Sequence, residues 1–175
     1  MEMTMYEVFE KELPVFDVVE NPFCTNIIPQ LILYPTEVCM LSKKQHQCLQ
    51  MFLKQIGEDE YFVTDSFKIA EKKEPKVFNG STTHEELMEE CLLPVTLFYS
   101  CHATWGIVVS DDEYAIVGVV EDYIPKLMNS FEPCISEWEC FSKNFATRSD
   151  LPNFEQNCCV VEQVLAMIGL KTDIR

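Results

Sequence analysis

Two clusters of carboxylates are the residues of this chain whose type and spacing most invite chemistry. The first lies in Thr82-Thr83-His84-Glu85-Glu86-Leu87-Met88-Glu89-Glu90-Cys91; the second is Asp111-Asp112-Glu113, followed at once by Tyr114. Grouped carboxylates can exchange protons with a substrate, ligate a metal, or present negative charge to a cationic partner. Metal ligation asks for more than this spacing supplies. A calcium loop needs oxygen ligands at alternate positions and a glycine bend, and a zinc-protease helix needs a second histidine where this chain has Met88. Acid–base chemistry needs a cleft. Ser110-Asp111-Asp112-Glu113 instead stands between two apolar runs and reads as a turn, where aspartate bonds to its own backbone. No metal site, catalytic carboxylate pair or cofactor is predicted. The remaining use assigns Glu85, Glu86, Glu89, Glu90, Asp111, Asp112, Glu113 and Tyr114 to a partner-binding surface.

The nine cysteines offer a different chemistry. Cys101-His102 pairs a thiol with an imidazole, but neighbours on a strand point to opposite faces. A thiol–imidazole dyad would have to be assembled from distant positions, which is the alternative reading: a small cysteine-dependent enzyme. An odd number of cysteines, no CxxC pair and no leader-like segment predict reduced thiols in a cytoplasmic protein. Most of these thiols are expected to be small buried hydrophobes. No uninterrupted apolar run approaches the 18 or so residues of a membrane-spanning helix.

These residues must be positioned by the elements around them. Leu13 to Val19 and Ile27 to Tyr34, broken by prolines, read as edge strands or extended segments. Ser42 and Gln45 form a capping-box pattern ahead of an apolar stripe of Cys48, Leu49, Phe52, Leu53 and Ile56, and Gly57 suits the helix stop. Glu60 to Phe67 reads as a strand, and residues 68–82, with four lysines and Asn79-Gly80-Ser81, as an exposed loop. A short helix is expected after Thr82 or Thr83, its acids on one arc and Leu87, Met88, Cys91 and Leu92 on the other. Like charges at Glu85/Glu89 and Glu86/Glu90 oppose such a helix, each by about 0.3 kcal/mol. Strands over Val95–Cys101, Trp105–Ser110 and Glu113–Val120 follow, then helices over Asp122–Ser130 and Pro133–Phe145. A last helix is capped by Asn153 and Gln156, with Val160, Val161, Val164, Leu165 and Ile168 as its stripe. The pattern predicts one α+β domain over residues 1–175, a mainly antiparallel sheet with flanking helices.

Charge narrows the partner. The chain carries 29 acidic against 13 basic side chains, a net charge of −16, and residues 78–175 hold 16 of those acids against five bases. Such a field repels nucleic-acid phosphates and anionic membranes and attracts a basic protein. Trp105, Tyr114, Tyr123 and Trp138 stand near the acids as aromatic anchors, although core packing is the plainer use of both tryptophans.

The segment Ala103-Thr-Trp-Gly-Ile-Val-Val-Ser-Asp-Asp-Glu-Tyr-Ala-Ile-Val-Gly-Val-Val-Glu-Asp-Tyr-Ile-Pro-Lys-Leu127 resembles bacterial immunity proteins of polymorphic-toxin and contact-dependent growth-inhibition systems. The resemblance implies a non-enzymatic, cytoplasmic inhibitor that binds one toxin domain, commonly a basic nuclease. An acidic adaptor for some other basic protein is the remaining alternative.

Overall fold

The computed structural model describes residues 5, 7–9, 21–89, 95–147 and 154–171. Its strands are β1 (Ile28–Leu33), β2 (Glu60–Asp65), β3 (Lys76–Asn79), β4 (Thr96–Ser100), β5 (Trp105–Val109) and β6 (Ala115–Val119). They form a six-stranded antiparallel sheet in the order β1-β6-β5-β4-β2-β3. The helices are α1 (Lys43–Ile56), α2 (Ser66–Ala70), α3 (His84–Met88), α4 (Ile124–Ser130), α5 (Glu137–Asn144) and α6 (Phe154–Met167). The fold is α+β, as the strand pattern predicts. Among the described residues no helix is long and apolar enough to cross a membrane.

Both faces of the sheet are buried. Trp105, Ile107 and Val109 of β5 pack with Leu49, Phe52 and Leu53 of α1, whereas Val108 packs with Ile116, Phe141 of α5 and Leu165 of α6. Near-continuous apolar runs such as Trp-Gly-Ile-Val-Val are what two covered faces require. On the second face, Gly106 and Gly118 are direct cross-strand neighbours. A Cβ at Gly106 would stand 2.6 Å from Val8 and 2.9 Å from Phe9, and one at Gly118 would stand 2.8 Å from Ile27 and 2.9 Å from Phe23. The two glycines let the aromatic side chains lie directly on the sheet.

Helix α1 forms as its local signals dictate. Ser42 and Gln45 complete the capping box, and Gly57 closes the helix in the left-handed conformation at φ 77°. Cys48, Leu49, Phe52 and Leu53 are buried along it. In α6, Val161, Val164 and Leu165 are buried and Val160 half-buried, and Ile168, half-buried, follows the helix end.

Several boundaries differ from the sequence expectation. The strand expected to reach Phe67 stops at Asp65, whose carboxylate accepts from the backbone N–H of Lys68 at 2.7 Å and caps α2. The loop expected over residues 68–82 contains the end of α2 and the edge strand β3, which buries only Phe78. Charged side chains on an edge strand discourage pairing with another chain, and they also hide the strand's period. The helices expected at 122–130 and 133–145 open as 3₁₀ turns, Glu121–Tyr123 and Glu132–Cys134. Leu13–Val19 and the Asn153 cap lie outside the described residues.

Candidate partner interface

The residues Asp111, Asp112 and Glu113 form the tip of the β5–β6 hairpin. Val109 pairs with Ala115, and the Ser110 N–H donates to the Tyr114 carbonyl at 2.8 Å. The backbone N–H of Asp112 donates to Ser110 Oγ at 3.1 Å. Three-residue hairpin loops close on a left-handed residue, and here it is Glu113, at φ 66°. Glycine would be the unstrained choice at this position. Glu113→Gly is expected to stabilise the fold by about 0.5–1 kcal/mol, read from urea midpoints. If it weakens partner binding at the same time, the strained glutamate is held for function; unchanged binding would make it a turn residue alone.

Helix α3 is shorter than the sequence suggests, and its acids have local duties. The Glu86 carboxylate accepts from the Thr83 backbone N–H at 2.7 Å and from Thr83 Oγ1 at 3.0 Å, completing a capping box. Glu85 pairs with Lys43 at 2.8 Å. The Lys43 ammonium holds the Glu85 carboxyl below the ordinary carboxylate range, and the Thr83 backbone does the same for Glu86. Glu89 is the exposed C-terminal cap. Glu90 lies outside the described residues.

Strand register places the hairpin tip at one end of the sheet, whereas β3 leads toward α3 from the Glu60–Asn79 row at the other end, and Glu86 and Glu89 lie beside β3. Leu33, Ala115, Val109, Thr96 and Asp65 form one row across the strands, and the hairpin tip lies just beyond Val109. The segment 34–42, between β1 and α1, leaves from the same row. Its Thr36 N–H donates to the Glu113 carbonyl at 2.8 Å. Further along, His84 of α3 bonds through Nε2 to the Leu41 carbonyl at 2.9 Å and stands 3.8 Å from Glu37. The segment thus runs from the hairpin tip to α3 and adds Glu37 between them. Val38 projects from it at 72% exposure, and Met88 of α3 is 41% exposed. Val38 carries no signal in the sequence, since an isolated valine in a loop has no period, and Met88, expected on the apolar arc of the helix, is exposed. Four lysines at 68, 72, 73 and 76 crowd the β2–β3 corner at the hairpin-tip end. Glu71 and Glu74 stand among these lysines, with Glu71 paired to Lys73 at 2.6 Å, so the corner carries mixed charge.

Tyr114 requires correction. It is 1% exposed, with its ring 5.1 Å from that of Phe141 and 5.8 Å from that of Phe145. It belongs to the core and cannot anchor a partner, because the face that alternation assigns to it is covered by α5. Trp105 is fully buried, while Tyr123 and Trp138 are half-buried. None of the four aromatics is an exposed anchor.

The opposite end holds an acid the sequence did not single out. Glu58, 8% exposed, accepts from Ser100 Oγ at 2.9 Å, Thr104 Oγ1 at 2.7 Å and Trp105 Nε1 at 3.0 Å. It ties the β4–β5 turn to the end of α1. Cys101 and His102 lie beside it in an open depression. Burial, then the charges of Glu58 and Glu60, push the Cys101 thiol up. Eight cysteines are described, and they are less uniformly buried than expected: Cys39, Cys48 and Cys134 are buried, but Cys140 and Cys159 are exposed.

Two histidines back the segment between the clusters. The His46 and His84 ring centroids are 5.9 Å apart, and His46 Nε2 lies 3.3 Å from the Tyr61 hydroxyl. Burial, and then the neighbouring His84, lower His46 from 6.5 to about 4. The folded state therefore prefers the neutral ring. Between those two values the unfolded chain binds the extra proton, so stability falls as pH drops from 6.5 through about 4. We expect His46 to account for a loss of up to about 3 kcal/mol across that window. Urea denaturation of His46→Gln should show a flatter pH dependence than wild type; parallel curves would contradict this.

These features define a class by structure: an α+β protein whose antiparallel sheet is covered on both faces and bears an acidic loop cluster at one end. Comparison with protein-family models, curated proteins and solved structures returns no match.

Proposed function

We propose that this protein is a non-enzymatic binding inhibitor, of the immunity-protein kind, whose acidic surface receives a basic toxin domain. The observation that carries the reading is the segment 34–42, which joins the hairpin-tip acids to the α3 acids and exposes Val38 between them. A nuclease surface must be basic to hold phosphates, so an inhibitor gains by presenting carboxylates in their place. An exposed apolar side chain ringed by charges matches the apolar centre and polar rim of a protein interface. The basic toxin partner and a cytoplasmic location belong to the same proposal.

The cysteine-enzyme reading has less support at Cys101–His102. A nucleophilic thiol needs a lowered pKa, and the thiol beside His102 is pushed the other way. The test is co-expression of the chain with the toxin domain encoded next to its gene in the source genome. Protection of the cell, retained when Cys101 is replaced by Ala, supports an inhibitor. Protection lost in a folded Cys101→Ala variant favours the enzyme. Capture of a basic protein that is not a toxin would leave the adaptor reading.

A further inference from the structure

Two buried sulfurs have no part in the proposed interface. Cys48 of α1 and Cys134 of the 3₁₀ turn at Glu132–Cys134 lie 86 positions apart in sequence, with Sγ atoms 3.7 Å apart. Cys48 is 3% exposed and Cys134 is fully buried, both within the core under α1. A hydrogen bond from the Cys134 thiol, aided by the charge of Lys44, pulls the Cys48 thiol down, while the same pairing and burial push Cys134 up. The two thiols are therefore unequal: Cys48 gives up its proton more readily than Cys134. A disulfide bond length is roughly 2 Å, so the sulfurs must approach by less than the length of one further bond.

We propose that Cys48 and Cys134 form a reversible dithiol–disulfide pair, oxidised by a small hydroperoxide, that cross-links α1 to the turn between α4 and α5. In the first step Cys48 thiolate attacks the terminal oxygen of the hydroperoxide. An S–O bond forms, the O–O bond breaks, and the departing alkoxide or hydroxide takes up a proton. In the second step the Cys134 sulfur attacks the Cys48 sulfenic acid. The S–S bond forms, the S–O bond breaks, and hydroxide leaves as water with the Cys134 proton. Two thiols and one hydroperoxide give one disulfide, one alcohol or water, and a further water. Burial restricts the reaction to oxidants small enough to enter during local opening, so hydrogen peroxide is the apt probe and large disulfides are not.

The test uses the full chain with the exposed thiols removed, as Cys140→Ser/Cys159→Ser. Hydrogen peroxide should lower its mass by two hydrogens, and peptide mapping should find Cys48 joined to Cys134. Closing so long a loop should raise the thermal midpoint by on the order of 10 °C, and dithiothreitol should reverse both changes. Adding Cys48→Ala should abolish the cross-link and the shift; Cys134→Ala serves the same purpose if the first variant does not fold. Recovery of both residues as thiols, oxidation of Cys48 to sulfinic acid without a cross-link, or pairing of either with another cysteine overturns the proposal.

Discussion

Replacing Glu86, Glu89, Asp111 and Asp112 by their amides should slow association with the basic partner about ten- to a hundredfold at low salt. It should also flatten the dependence of that rate on ionic strength. The charges of a small protein act on an approaching partner together, and steering by such a field falls steeply as salt screens it. The four positions are chosen so that charge is lost and shape is kept. A glutamine in place of Glu86 can still accept from the Thr83 backbone, as glutamine does in other capping boxes, and asparagine suits a hairpin turn as well as aspartate. Glu85 is left in place because Lys43 already neutralises it at 2.8 Å. Unfolding midpoints should stay within about 0.5 kcal/mol of wild type, since exposed carboxylates contribute little to stability. Equal association rates and parallel salt slopes would place these acids outside the interface.

The second large effect is on stability. Glu58→Ala should cost about 3–5 kcal/mol, measured by urea denaturation. The carboxylate is the common acceptor for Trp105 Nε1, Ser100 Oγ and Thr104 Oγ1. Its removal leaves a buried indole N–H and two hydroxyls short of an acceptor, and it frees the β4–β5 turn from the end of α1. Glu58→Gln retains one acceptor oxygen, and the hydroxyls can rotate to accept from its amide, so it should cost only about 1 kcal/mol. The contrast between the two variants separates a lost hydrogen-bond hub from a lost charge. An alanine variant as stable as wild type would contradict the role assigned to Glu58. Because this hub lies at the far end of the sheet from Val38, Glu58→Gln should leave partner association unchanged.

What the sequence made legible is what local physics decides. Ser42, Gln45 and Gly57 specify α1 without help from the rest of the chain, and turn chemistry places the tip at 111–113. Strand alternation also sorts Trp105, Ile107 and Val109 from Val108 correctly. It fails at Tyr114 because alternation tells which residues share a face, and only the continuous apolar runs of β5 and β6 tell that both faces are covered. Strand β3 is hidden by its edge position, where one buried phenylalanine in the four residues Lys76–Asn79 leaves no period to read. The role of Glu58 depends on partners 42 to 47 positions away, and no window of sequence holds both. Val38 is missed for the opposite reason: its exposure is set by the path of the 34–42 segment, which is fixed by Thr36 meeting Glu113 and Leu41 meeting His84.

The most direct measurement of the central claim is site-specific photocrosslinking in the source cell. A photoreactive residue is placed at Val38, between the acidic clusters, or at Ile28, 37% exposed at the end of the sheet away from the hairpin tip. The account predicts that position 38 traps a single basic protein, that the adduct fades as salt rises during crosslinking in lysate, and that position 28 traps nothing in common with it. Trapping of the same partner from position 28 and not from position 38 would contradict the account.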